Sequence, residues 1–228
     1  MLTYYITDRT QFAGSEAERL AHLLRTIRQA AAAGVDFIQL REKDLCIREL
    51  ESLAREALQA IRAEGTSRLL INHRTDVALA VGADGVQLTG TDLAASEARA
   101  MAAGRHSSGQ LGSQFMVAAS CHSVQQVRLA EAHGADFAVL APVFEKVNVV
   151  STGIGLEELR RSARKDQSPD LRVEAGDTRR SIPVFALGGV DLERAPLCAA
   201  AGATGVAGIR IFQQSPDLSA LVRTLHSF

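Results

Sequence analysis

The sequence predicts an α/β protein with the architecture of a (β/α)₈ TIM barrel, and two observations support this. Eight short apolar runs alternate along the chain with stretches rich in Ala, Leu, Glu and Arg. The runs are almost continuously apolar, which is typical of parallel strands that helices cover. Eight such units in 228 residues favour a closed barrel. A doubly wound open sheet is the alternative, although no G-x-G-x-x-G motif follows the first strand.

The predicted strands are rich in β-branched, aromatic and aliphatic residues, as strands usually are. In chain order they are TYYIT (3–7), FIQLR (37–41), LLIN (69–72), GVQL (85–88), FMVAAS (115–120), FAVLA (137–141), PVFAL (183–187) and GVAGI (205–209).

The stretches between the strands carry helix signals. Ser15 is a candidate N-cap, Glu18 completes a capping box, and Gly34 follows the helix end. The stretches 47–65 and 123–134 also end in Gly, and their aliphatic residues recur at helical spacing. Four segments share one pattern of helix end, Gly, small residue and usually an acid: AAAGVDFIQL, AVGADGVQL, EAHGADFAVL and AAGATGVAGI. We interpret this pattern as a repeated turn that belongs to the fold.

Composition and charge narrow the class of protein. A net charge of −1 and an aromatic content of 4% without Trp argue against nucleic acid or an anionic membrane as a partner. Three widely spaced cysteines favour reduced thiols in a cytoplasmic protein. The first residues lack a signal-peptide pattern, and no apolar run approaches the ~20 residues of a membrane span. We expect one domain over 1–228, with a polar insertion at 163–181 between helix six and strand seven.

Glycines at the ends of the last two strands indicate a phosphate site. Active sites of such barrels lie at the carboxyl ends of the strands, and phosphates bind there to backbone N–H groups. Gly188 and Gly189 follow strand seven, while Gly208 and Arg210 end strand eight. The alternative interpretation is a pair of ordinary turns.

The segment QLREKD after strand two indicates an anionic substrate. Side chains alternate along a strand, so Gln39, Arg41 and Lys43 are expected to project together into the barrel mouth. The alternative is a solvated run of charges.

Further polar residues end strands three to five. Asn72 and His73 end strand three, Gln87 ends strand four, and Ser120 and His122 end strand five. A histidine in this position is a candidate general acid–base, and the alternative is a structural histidine. No oriented acid completes a nucleophilic triad with Ser120.

Taken together, these motifs resemble the thiamine phosphate synthase/TenI family over nearly the whole chain. The matching segments are YYITDR, IQLREKD, INHRTDVALAVGADGVQL, SCHSVQQVRLAEAHGADFAVLAPVF, GIGLEEL, IPVFALGG and AGATGVAGI. The resemblance implies a (β/α)₈ barrel, a role in thiamine biosynthesis and a phosphorylated thiazole as ligand. The synthase branch couples a pyrimidine diphosphate to the thiazole phosphate, releases pyrophosphate and uses Mg²⁺. The TenI branch catalyses an aromatising tautomerisation of a thiazole phosphate without a metal.

The chain departs from the synthase pattern in three places. Where the synthase has Asn-Asp after strand three, with the Asp on Mg²⁺, this chain has Asn72 and His73. The synthase motif His-x-Gly-Gln-x-Asp after strand four retains only Asp92 here. Its other defined positions hold Gln87, Thr89 and Gly90. The Thr-x-Thr-Lys loop after strand six is missing from FEKVNVVSTG, although Lys146 could reach the site. Since Mg²⁺ prefers oxygen ligands, imidazole is a poor replacement for a carboxylate.

We therefore predict a thiazole tautomerase, an isomerase without a cofactor, in which His122 moves the proton. Gln87 and Ser120 would orient the ring, and the glycines with Arg210 would hold the phosphate. The full set of predicted substrate-binding residues is Gln39, Arg41, Lys43, Asn72, His73, Gln87, Ser120 and Lys146. One alternative is a thiamine phosphate synthase, a transferase with Mg²⁺ at Asp92. The other is a non-catalytic thiazole phosphate-binding regulator. The oligomeric state stays open, a homo-oligomer included.

Overall fold

A computed structural model confirms the predicted barrel, in which eight parallel strands close into one sheet in chain order. The structure describes residues 1–90, 92–103, 115–145, 153–163 and 181–228. The strands are β1 (Leu2–Ile6), β2 (Phe37–Leu40), β3 (Arg68–Asn72), β4 (Gly85–Leu88), β5 (Met116–Cys121), β6 (Phe137–Leu140), β7 (Val184–Leu187) and β8 (Gly205–Gly208). Because β1 pairs with both β2 and β8, the sheet has no free edge.

Helices cover the outer face of the sheet. They are α1 (Glu16–Ala32), α2 (Ile47–Glu64), α3 (Thr75–Val81), α4 (Ala95–Ala103), α5 (Val124–Ala132), α6 (Gly155–Ala163), α7 (Ala195–Ala200), α8 (Arg210–Gln213) and α9 (Leu218–His226). The capping box predicted for α1 is present, since Ser15 and Glu18 each accept the backbone N–H of the other. None of the described helices is long and apolar enough to cross a membrane. Most of the predicted insertion 163–181, and most of the loop 145–154, lies outside the described residues.

Aromatic side chains fill the amino-terminal half of the barrel interior. Tyr4, Phe37, Phe137 and Phe185 contact one another, with ring centroids between 5.0 and 5.9 Å apart. Edge-to-face and tilted contacts of this kind add to the stabilisation from burial. The hydroxyl of Tyr4 lies on the side of this layer nearer the carboxyl ends of the strands, where it hydrogen-bonds to Gln39 and Gln87. The packed layer therefore supports a polar region at the carboxyl ends of the strands.

The repeated turns join neighbouring strands through their acidic residue. Asp36, Asp84 and Asp136 each precede an even-numbered strand, and each accepts a backbone N–H from the odd-numbered strand before it. The donors are Thr3, Leu69 and Val117, at 2.8, 2.7 and 2.7 Å. The turn glycines have positive φ, as a residue after a helix end often does: Gly34, Gly82, Gly134 and Gly202. The acid therefore acts as a clamp between two strands.

Replacing Asp84 by Ala should lower the free energy of unfolding by about 1–3 kcal/mol, the usual cost of leaving a buried donor unpaired. The N–H of Leu69 would lose its acceptor, and Arg62 would lose an ion pair at 2.6 Å. Urea denaturation measures the change. Glu51→Ala is the control, because Glu51 forms an exposed i,i+4 pair with Arg55 on α2. Such pairs contribute about 0.3–0.5 kcal/mol, so equal losses in the two variants would contradict the clamp.

Candidate active site

Four side chains form a chain of hydrogen bonds across the barrel interior, in the half nearer the carboxyl ends of the strands. Gln39 Nε2 donates to the hydroxyl of Tyr4, which donates to Gln87 Oε1, and Gln87 Nε2 donates to Ser120 Oγ. Each bond is 3.0 Å long. Burial raises the pKa of Tyr4 far above its usual value, so its hydroxyl keeps its proton. The structure thus brings together three residues predicted for substrate binding, through a tyrosine that the sequence pattern marked only as part of a strand.

Replacing Tyr4 by Phe should cost about 1–3 kcal/mol of stability, because the amides of Gln39 and Gln87 would each lose a buried partner. Thermal unfolding measures the loss. The control is Tyr5→Phe, on the same strand. The Tyr5 hydroxyl is buried, and among the described residues it has no hydrogen-bond partner. Its removal should be neutral or stabilising, and a similar loss in both variants would exclude the proposed role of the Tyr4 hydroxyl.

A cavity of about 320 Å³ opens where the glycines were predicted to bind phosphate. All four predicted phosphate-binding residues line it, and so does Arg41: Gly188, Gly189, Gly208, Arg210 and Arg41. The backbone N–H groups of Gly188, Gly189 and Ile209 donate no hydrogen bond to any residue that the structure describes. Free N–H groups beside two guanidinium groups suit a phosphate.

The cavity needs glycine for steric reasons. Gly188 and Gly189 have φ of 97° and 64°, which favours glycine. A Cβ on Gly188 would lie 2.8 Å from Cα of Pro142, and one on Gly189 would lie 2.9 Å from the carbonyl oxygen of Glu145. These contacts are too short for a side chain at either position. The chain after β6 therefore packs directly against the glycine turn.

The backbone of Arg41 is held by a buried network at the ends of β1 and β2. Its N–H donates to Thr7 Oγ1 at 2.9 Å, and the Thr7 hydroxyl donates to Glu42 at 2.6 Å. Glu42 also accepts from Arg9. Burial raises the pKa of Glu42, while its bonds from Thr7 and Arg9 act in the opposite direction. The network fixes the position from which Arg41 reaches the cavity.

A second cavity of about 400 Å³ lies at the ends of β2 and β3, and Lys43, Asn72 and His73 line it. The prediction that Lys43 projects with Gln39 and Arg41 is therefore wrong. Alternation stops at Leu40, where β2 ends, and Lys43 lies in a turn. Arg41 lines the glycine cavity, whereas Gln39 lines neither cavity and is buried in the hydrogen-bonded chain with Tyr4.

His122 is an exposed residue just after β5, with one ring nitrogen already engaged. Its Nδ1 lies 2.6 Å from the carbonyl oxygen of Ala141, a residue that lines the glycine cavity. Because a carbonyl only accepts, Nδ1 carries hydrogen and Nε2 is left for proton exchange. Burial raises the pKa of the neighbouring Cys121 to about 12, so its thiol is not an activated nucleophile.

The residues at Asp92 do not fit Mg²⁺. The Asp92 side chain is 1% exposed, its Oδ2 accepts the N–H of Thr89 at 2.5 Å, and its Oδ1 lies directly against Nδ1 of His73. Mg²⁺ requires near-octahedral oxygen coordination, and here an imidazole covers the carboxylate. The described part of the chain contains no group of three or more His, Cys, Asp or Glu residues that could hold a metal ion. Lys146, which was predicted to bind the substrate, lies outside the described residues.

Comparisons with known proteins identify one family. A family model described as thiamine monophosphate synthase matches residues 3–212. A putative thiamine-phosphate synthase of Geobacter sulfurreducens is 37% identical over 224 residues, which cover 97% of this chain and 91% of that protein. The thiamine-phosphate synthase of Methanoculleus marisnigri is 34% identical, with 97% and 92% covered. The structure of thiamine phosphate pyrophosphorylase from Pyrococcus furiosus superimposes with a TM-score of 0.75 at 27% identity, covering 99% of this chain and 94% of that one. The chain therefore belongs to the thiamine monophosphate synthase family.

Proposed function

We propose that this enzyme binds a thiazole phosphate and catalyses its aromatising tautomerisation by proton transfer, without a cofactor. One observation carries the proposal: Nδ1 of His122 is bound to the carbonyl of Ala141, a residue that lines the glycine cavity, which leaves Nε2 for proton transfer. In this reaction a base removes a proton from a saturated ring carbon, and the acid so formed returns a proton to an exocyclic carbon. Double bonds shift into the ring, and the atoms and electrons of the substrate are conserved. A histidine can perform both transfers.

The two ends of such a substrate would be held separately. The phosphate would lie in the glycine cavity on the free N–H groups, with Arg210 beside it. Arg41 lines the same cavity and would neutralise a second anionic group, such as a ring carboxylate. Ser120, at the end of the buried hydrogen-bonded chain, would contact the ring. Asn72, His73 and Lys43 would contact parts of the substrate that extend into the second cavity.

The second candidate is the coupling of a pyrimidine diphosphate to a thiazole phosphate, and the names of the relatives favour it. Both candidates use the phosphate cavity, so the cavity does not separate them. The contact between His73 and Asp92 argues against the coupling, because the imidazole covers the carboxylate that would hold Mg²⁺.

Two assays on the purified full chain distinguish the candidates. The first follows aromatisation of the thiazole phosphate isomer by ultraviolet absorbance, in buffer with EDTA. The second follows thiamine phosphate and pyrophosphate from pyrimidine diphosphate and thiazole phosphate, with Mg²⁺. Turnover in the first assay supports the proposal, and product in the second alone establishes the coupling instead. Binding of thiazole phosphate with neither product would identify a non-catalytic binder and refute both reactions.

A further inference from the structure

His73 has an unusual backbone conformation. Its φ is 66°, and among the described residues it is the one non-glycine residue with a positive φ. This conformation costs about 1–2 kcal/mol for an L-residue, although His, Asn and Asp adopt it more readily than most. The N–H of His73 donates to the carbonyl of Gln87 at 2.8 Å, and the carbonyl of Asn72 accepts the N–H of Arg74 at 2.8 Å. These bonds hold the strained turn at the end of β3.

The turn places an imidazole over a buried carboxylate. The His73 side chain is 54% exposed, whereas that of Asp92 is 1% exposed. Within the described part of the chain, Oδ1 of Asp92 has no hydrogen-bond partner, and Nδ1 of His73 is the group that lies directly against it. A buried carboxylate without a partner would be strongly destabilising. His73 thus provides the partner for the buried carboxylate that a bound cation would otherwise provide.

We infer that His73 takes the place of a divalent cation at Asp92 and closes a cation site that the barrel still contains. The chain itself then binds no divalent cation at Asp92, and one substitution at position 73 restores binding. This inference concerns metal binding without substrate, so it stands or falls independently of which reaction the enzyme catalyses.

The substitution His73→Asp suits the test for two structural reasons. Aspartate tolerates a positive φ, so the turn after β3 can keep its conformation. The new carboxylate would lie beside Asp92, at the edge of the second cavity, where water can complete the coordination. One or two carboxylates with water are a usual ligand set for Mg²⁺.

The experiment is a Mn²⁺ titration of the full-length protein, followed by the electron paramagnetic resonance of free Mn²⁺. We expect His73→Asp to bind Mn²⁺ at least about tenfold more tightly than the unmodified chain, since even residues behind the ligands change metal affinity by 10–100-fold. Adding Asp92→Asn to that variant should abolish the gain. His133→Asp is the control, because it makes the same charge change at the end of α5.

A second variant covers the case in which His73→Asp does not fold. His73→Gly adopts a positive φ without strain and uncovers Asp92, so it should also bind Mn²⁺ more tightly than the unmodified chain, by a smaller factor. The inference is overturned if the unmodified chain binds Mn²⁺ and loses it in Asp92→Asn. It is also overturned if folded His73→Asp binds no more tightly than His133→Asp.

Discussion

The substitution His122→Ala should reduce the turnover number of the tautomerisation by about 10²–10⁴-fold, the usual contribution of general acid–base catalysis. The imidazole has Nδ1 fixed on the carbonyl of Ala141, which lines the glycine cavity, and Nε2 is the nitrogen left to exchange a proton with a substrate. Alanine leaves the cavity walls unchanged and removes the proton carrier. The loss should therefore appear in kcat rather than in the affinity for thiazole phosphate.

Initial rates of aromatisation measure this effect, and isothermal titration with thiazole phosphate measures binding. His133→Ala is a matched control, because His133 is an exposed histidine at the far end of α5. It should leave both quantities unchanged. Wild-type turnover in His122→Ala would remove this histidine from the mechanism, and a loss of affinity without a loss of kcat would make it a binding residue.

The substitution Gly188→Ala should weaken the binding of thiazole phosphate by about 10–100-fold. The added Cβ would lie 2.8 Å from Cα of Pro142, so the glycine turn or the chain after β6 must move. This movement would displace backbone N–H groups from the phosphate. A hydrogen bond to a charged group contributes about 1.5–3 kcal/mol. Losing one such bond therefore corresponds to a loss of affinity of about 10–100-fold.

Gly34→Ala separates that effect from backbone strain. Gly34 has a φ of 83°, close to the 97° of Gly188, but a Cβ there would meet nothing within 4 Å. Both variants should lose some stability because alanine disfavours a positive φ. Isothermal titration should show weaker binding in Gly188→Ala alone, and unchanged affinity in that variant would place the phosphate elsewhere.

The sequence predicted the strands well because each is a short apolar run bounded by turn residues. Every observed strand boundary lies within one residue of the predicted one. The same reasoning failed at Lys43, since strand alternation has no meaning once β2 has ended at Leu40. That Gly188, Gly189 and Gly208 lie together was predictable, because their place in the barrel follows from strand order.

The interactions inside the site were less predictable, because they join residues from different strands. Tyr4 contacts Gln39 and Gln87 across the barrel interior, and its sequence neighbours give no sign of a polar partner. The pairing of His73 with Asp92 depends on a positive φ, which the sequence does not encode as a recognisable turn motif. The position of His73 in the sequence showed a departure from the synthase pattern, whereas its contact with Asp92 is seen only in the fold.

The chain of hydrogen bonds that ends at Ser120 also determines which hydrogen-bonding groups of that serine remain available. Ser120 Oγ already accepts a hydrogen bond from the amide of Gln87, and that amide is fixed by the protonated hydroxyl of Tyr4. The Ser120 hydroxyl therefore has its own hydrogen to offer. One lone pair of Oγ is used by Gln87, so the hydroxyl keeps one hydrogen to donate and one lone pair with which to accept. Through the amide of Gln87, a tyrosine deep in the barrel thus helps to set the donor and acceptor roles of a serine that it does not touch.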